Sequence, residues 1–285
     1  MSATTDEMLR KVGDLAAANS VWNYSHSEEN EYKRREAEER AHSAGVSWQR
    51  IDRVRVVGFL DQEWLDVRNS PHLEESIRAS LLETAKADAW QLRYMVAVEV
   101  LRSRQRRADN STTQSAPDAR QQRRNMAGLA ANVETIAVLI DMTETERATV
   151  REHAMDDWPR MMAGTAEVMD TPDAIEEVWD DMGDPWFQRR SERIADTLHH
   201  PIPEPSSPVL TTPEELIARA QQALETEPPH AQLDRAVHPR EVGDVGLSAQ
   251  IVAAIHPATT PEWEPGEVPD PAADAPNSQD PGLSL

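Results

Sequence analysis

Cysteine is absent from the 285 residues. That excludes a disulfide framework, a thiolate zinc site and a cysteine nucleophile. Aromatic residues are sparse at 5%. Leu, Ile, Val and Phe together make 52 of the 285 residues, fewer than one in five. With a formal net charge of −22, that composition is too poor in apolar surface for one compact core over the whole length. No stretch of about 20 uncharged apolar residues occurs, so no membrane-spanning helix is expected. The longest candidate, 126–140, carries Asn132 and Glu134. The run from Thr4 to Val12 is polar and charged, which is not a signal-peptide pattern and predicts a cytoplasmic protein.

The motifs of catalysis are missing too. There is no phosphate-binding glycine loop, dinucleotide fingerprint, Gly-x-Ser-x-Gly elbow or His-Glu-x-x-His. Glu39-x-x-His42 is a single Glu-x-x-His, where a di-iron bundle needs two with further glutamates. Asp180, Asp181 and Asp184 lack calcium-loop spacing. The expectation is a non-enzymatic protein with no catalytic residues, no cofactor and no metal.

What is present is unevenly distributed. Residues 1–107 hold 17 Lys+Arg and 18 Asp+Glu, 108–200 hold 9 and 19, and 201–285 hold 3 and 14. The last segment also holds 15 of the 20 prolines. This divides the chain into an N-terminal helical region (1–107), a polar linker (108–117), an acidic Met/Trp-rich helical region (118–200) and a proline-rich acidic tail (201–285). The expected fold is all-α: an irregular helical bundle with a long central helix and a largely disordered C-terminal tail.

Apolar residues at helical spacing carry that reading. Met8, Leu9, Val12 and Leu15 mark a first helix, and Glu28 to Ala44 is a highly charged second. Ser70 and Pro71 predict a helix start, followed by Leu73, Ile77, Leu81, Ala85, Leu92, Val96 and Val100 to about Arg107. Further helices are expected over 118–140, 143–155, 171–182 and 185–198 and from Thr212, with a short one over 247–255. Thr143 and Glu146 fit a capping box, and Thr171-Pro172-Asp173 a cap and acidic first turn. Val54 to Leu60 is the most strand-like run.

Three constellations point to binding. In 36–56, Ala41, Gly45 and Ile51 have the spacing of a helix-turn-helix: a small residue in the first helix, a glycine in the turn, an apolar residue packing the second helix back. That segment, with its Ala-Gly-Val-Ser-Trp, resembles the DNA-binding stretches of bacterial regulators. The resemblance implies that Gln49, Arg50, Arg53 and Arg55 reach bases or phosphates. The bland alternative makes Gly45 a helix stop and Ser47 the cap of a structural helix. Second, Arg102, Arg104, Arg106, Arg107, Arg120, Arg123 and Arg124 flank the linker and converge into a basic patch if the chain turns back there. The alternative is a set of solvated helix ends. Third, Met155, Trp158, Met161, Met162, Trp179 and Trp186 make an adaptable partner-binding surface or, equally, fill gaps in a core poor in Leu and Val.

The leading expectation is an interaction or scaffold protein that docks a protein partner, with self-association through the 70–107 helix. The alternative is a helix-turn-helix DNA-binding regulator or DNA-associated accessory protein. Arg50, Arg53 and the 102–124 arginines discriminate the two. A shared exposed face favours nucleic acid; pairing with carboxylates favours protein.

Overall fold

The computed structural model describes residues 3–19, 28–60, 64–108, 116–155, 157–200 and 207–226. These are mostly helical, with no strand among the described residues. The helices are α1 (Ala3–Ala17), α2 (Glu28–Ser43), α3 (Trp48–Leu60), α4 (Trp64–Asn69), α5 (Leu73–Ala108) and α6 (Ala116–Leu139). They continue with α7 (Glu144–Met155), α8 (Trp158–Val168), α9 (Pro172–Asp181), α10 (Trp186–Thr197) and α11 (Pro213–Thr226). All described residues fall in one compact unit, Met1–Leu233. The helix expected over 247–255 and the tail beyond 226 lie outside them.

The all-α expectation holds among the described residues, with local corrections. Val54 to Leu60, the most strand-like run of a sequence with no convincing strand pattern, lies within helix α3. Its apolar run is continuous because α3 is buried nearly all round, and such a run carries no periodicity that separates helix from strand. The long helix begins at Leu73, two residues later than expected. Ser70 instead accepts from the His72 backbone N–H at 3.1 Å, closing a turn ahead of the helix. Helix α8 was not anticipated. Asp157 caps it by accepting from the Arg160 N–H at 3.2 Å.

Helix α5 is the spine. Its 36 residues span about 54 Å at ~1.5 Å per residue. Leu73, Ile77, Leu81, Ala85, Leu92, Val96 and Val100 are all buried, as expected from their spacing. From Leu92 to Leu101 the helix is covered on most sides, because Tyr94, Met95, Ala97 and Val98 are buried as well. It packs against α3, α4, α6, α7, α8, α9 and α11. The apolar stripe expected to support self-association is thus consumed within one chain.

Helices α5 and α6 pack against each other, so the segments on either side of 108–117 share one body. The body also extends past His200. Helix α11 packs on α5, α6 and α8, and Val209, Leu210, Leu216 and Ala220 are buried. At the other end, α1 crosses α3 so closely that a Cβ on Gly58 would lie 2.5 Å from the Gly13 carbonyl oxygen.

Candidate functional site

Helix α2, the turn and α3 have the connection expected from Ala41, Gly45 and Ile51. Gly45 sits at φ +92, in the left-handed region. Its N–H donates to the His42 carbonyl at 2.9 Å, and the Val46 N–H reaches the Ala41 carbonyl at 3.1 Å. This pair of bonds is a Schellman stop, which satisfies the last carbonyls of α2. Ser47 Oγ then accepts from the Arg50 N–H at 3.4 Å and caps α3. Both features match the bland alternative. The end of α6 repeats the device with Asp141 at φ 47.

The four residues expected to read DNA all contact other parts of the fold, with Gln49 exposed, Arg50 and Arg53 half-buried and Arg55 buried. Gln49 Nε2 donates to the Leu139 carbonyl at 3.3 Å and to Asp141 Oδ2 at 3.1 Å. Arg53 donates to the same carbonyl and reaches Asp141 Oδ2 at 3.1 Å. Together they tie the start of α3 to the α6 C-terminus, where helix carbonyls lack intrahelical partners. Arg50 pairs with Glu74 of α5 at 2.6 Å. Arg55 is buried and donates to Asp52 Oδ1 at 2.5 Å and Glu38 Oε1 at 3.4 Å.

Arg55 belongs to a buried ionic cluster that sequence reasoning missed. Arg34 donates to Glu38, and its Nε and Nη2 hold Glu31 at 3.0 and 2.5 Å. His199, just past α10, places Nδ1 2.7 Å from Asp52 Oδ1 and Nε2 3.6 Å from Glu38 Oε2. Its ring stacks on Trp48 at 3.7 Å between centroids, and His42 covers the other face of Trp48 at 4.2 Å. Burial works against the Arg34 charge, but its hydrogen bond to Glu31 and the charge of Glu38 outweigh that and raise its pKa. For Arg55 burial dominates over Glu38 and Asp52, and the nearby Arg34 charge adds to the lowering. The cluster therefore clamps α2, α3 and the end of α10. Its sequence signal was weak, because Arg34–Glu38 and Asp52–Arg55 at helical spacing look like solvated helix pairs.

A second buried pair joins distant helices. Arg190 of α10 grips Asp88 of α5 through both carboxylate oxygens at 2.8 and 3.2 Å. Burial raises the Asp88 pKa, against the pull of Arg190.

The seven basic-patch residues divide. Arg102 and Arg106 both bind Glu176 of α9, at 2.8 and 3.1 Å, and Arg102 lies over the Trp179 ring at 4.3 Å. Arg104, Arg107, Arg120, Arg123 and Arg124 are exposed. Two of these five lie at the C-terminal end of α5 and three in the N-terminal part of α6, which packs against α5. An open cleft of about 260 Å³ there is lined by Val100, Arg104, Arg107, Gln221, Leu224 and Glu225.

Half of the six Met/Trp residues are core. Trp158, Met162 and Trp179 are buried, and Met155, Met161 and Trp186 are half-buried. Trp186 carries Arg190 at 5.3 Å and Phe187 edge-on. Among the described residues no group of three or more His, Asp or Glu is placed to hold a metal ion. No helix of the described residues is long and apolar enough to cross a membrane. No family model, curated protein or solved structure matches the chain.

Proposed function

We propose that this chain is a non-enzymatic helical interaction protein that docks an acidic face of a protein partner. The observation that carries the reading is the arginine end: Arg104, Arg107, Arg120, Arg123 and Arg124 stay exposed on a chain of net charge −22. The helix dipole favours cations only at a helix C-terminus, so arginines early in α6 gain nothing from it. A concentrated cationic end on an anionic body orients an acidic partner during encounter. The involvement of Arg50, Arg53 and Arg55 in contacts to Glu74, Asp141, Leu139, Asp52 and Glu38 supports a protein partner over a duplex.

Affinity capture with the whole chain tests the reading. The wild-type chain is expected to retain a partner protein at low salt that the Arg104→Glu/Arg107→Glu/Arg124→Glu variant releases. Strict absence of any partner counts against it. Duplex DNA is the second arm. Duplex affinity that falls steeply with salt and is lost in Arg50→Ala/Arg53→Ala would replace this reading with the helix-turn-helix one.

A further inference from the structure

Residues 207–226 lie on the body as a strap: a bent, non-helical stretch, then α11. Side chains of the body hold the bent stretch in place. Glu134 Oε1 of α6 accepts from two consecutive backbone N–H groups, Val209 at 2.6 Å and Leu210 at 3.1 Å. Arg151 of α7 donates to the Val209 carbonyl at 3.1 Å, and Arg147 to the Ser207 carbonyl at 3.4 Å. Val209 and Leu210 fill apolar positions beneath. Thr212 then caps α11, accepting from the Glu215 N–H at 3.3 Å, and Leu216 and Ala220 bury the helix against its neighbours. Recognition of backbone groups by fixed side chains, with pockets for two apolar residues, is how domains read linear segments of other chains.

The fit leaves polar groups unserved. Glu134 Oε2 and Thr211 Oγ1 are buried and take no hydrogen bond from a described residue. Each such group costs desolvation that the strap does not return. The strap brings few side chains to the core compared with α5. Its hold benefits from covalent attachment, which supplies an effective concentration in the millimolar range for a short connection.

We propose that Glu134, Arg147 and Arg151, with the α5–α8 surface beneath α11, form a peptide-docking site that this chain occupies in cis. The occupant it takes in trans is a partner segment of the same chemistry. That segment bends at two consecutive apolar residues so that both N–H groups face one carboxylate oxygen, and is then capped and helical. The residues that hold the strap, Glu134, Arg147 and Arg151, are not those of the arginine end, although α11 also lines the cleft there through Gln221, Leu224 and Glu225.

The probe is a fluorescein-labelled synthetic peptide of residues 207–226. The target is the full chain, wild type or carrying Val209→Asp/Leu210→Asp, which evicts the strap but leaves the site. The evicted chain is expected to bind the peptide at least tenfold more tightly than wild type, because the cis competitor is gone. Adding Glu134→Ala/Arg151→Ala to it is expected to reverse that gain. Equal affinity for the two chains, no binding by either, or binding that survives without Glu134 and Arg151 overturns the proposal. Slow amide exchange in α3 and α6 verifies that the evicted chain is folded. If it is not, wild type decides alone: excess unlabelled peptide must speed exchange at Val209, Leu210 and Leu216, and unchanged exchange overturns the proposal. Light scattering covers the remaining occupant. A stable wild-type dimer whose strap amides ignore the peptide assigns the site to a second copy and overturns a foreign segment.

Discussion

Gly58 and Gly164 both sit inside helices, yet the same substitution is expected to act on them in opposite directions. A methyl on Gly58 meets the Gly13 carbonyl oxygen at 2.5 Å and Ala16 Cβ at 3.1 Å, so α1 and α3 must separate. Gly58→Ala is expected to cost about 1–3 kcal/mol, as overpacking does. A methyl on Gly164 meets nothing within 4 Å. Gly164→Ala is expected to add about 0.5–1 kcal/mol by restricting the unfolded chain. Denaturant unfolding of the two variants checks both signs. At Arg190 the argument is electrostatic. Arg190→Ala leaves the Asp88 carboxylate buried without its cation, an expected loss of about 3–5 kcal/mol in the same measurement. A stability change within 1 kcal/mol of zero would mean that Asp88 protonates or hydrates at little cost.

At the scale of the element, caps and stops were legible because they depend on residues within a few positions. Thr143 and Glu146 form the expected reciprocal box, with the Thr143 N–H to Glu146 at 2.8 Å and the Glu146 N–H to Thr143 at 3.3 Å. Thr171 caps α9 through the Ala174 N–H at 3.2 Å. Contacts between elements were not legible, and the anchoring of α9 on α5 shows why. Glu176 lies some 70 residues from its partners in sequence, so no local spacing announces it. The hydrogen bond from Arg102, aided by Arg106, holds the Glu176 carboxyl below its ordinary 4.5 despite some burial. The unfolded chain therefore binds that proton more readily than the folded one. The stabilisation is full above the ordinary value and is lost as pH falls through the lowered one. Wild type is expected to exceed Glu176→Gln in stability at neutral pH, and the gap is expected to close below about pH 4. The effect is small, about 1 kcal/mol or less, because the carboxylate is partly exposed and solvent screens it. Urea titrations of both chains across that range check it; a gap that widens with acid would reverse the assignment.

At the scale of the whole molecule, charge dominates. Twenty-nine Lys+Arg against 51 Asp+Glu make self-repulsion a standing cost of the compact state. Raising salt from about 0.02 M to about 0.5 M screens that repulsion, and the Tm is expected to rise. Capture of an acidic partner by the arginine end is expected to weaken over the same range. A Tm that falls instead would show that ion pairs such as Arg78–Glu146 outweigh net repulsion. Helical class, the long helix and its buried stripe were set by the sequence alone, since propensity, capping and apolar spacing act within a few residues of chain. What Arg50, Arg53, Trp158 and Trp179 do was decided only by the tertiary structure. A guanidinium on a helix looks the same in sequence whether it faces water, a phosphate or the Leu139 carbonyl. Only the packing of α3 against the end of α6 supplies that carbonyl.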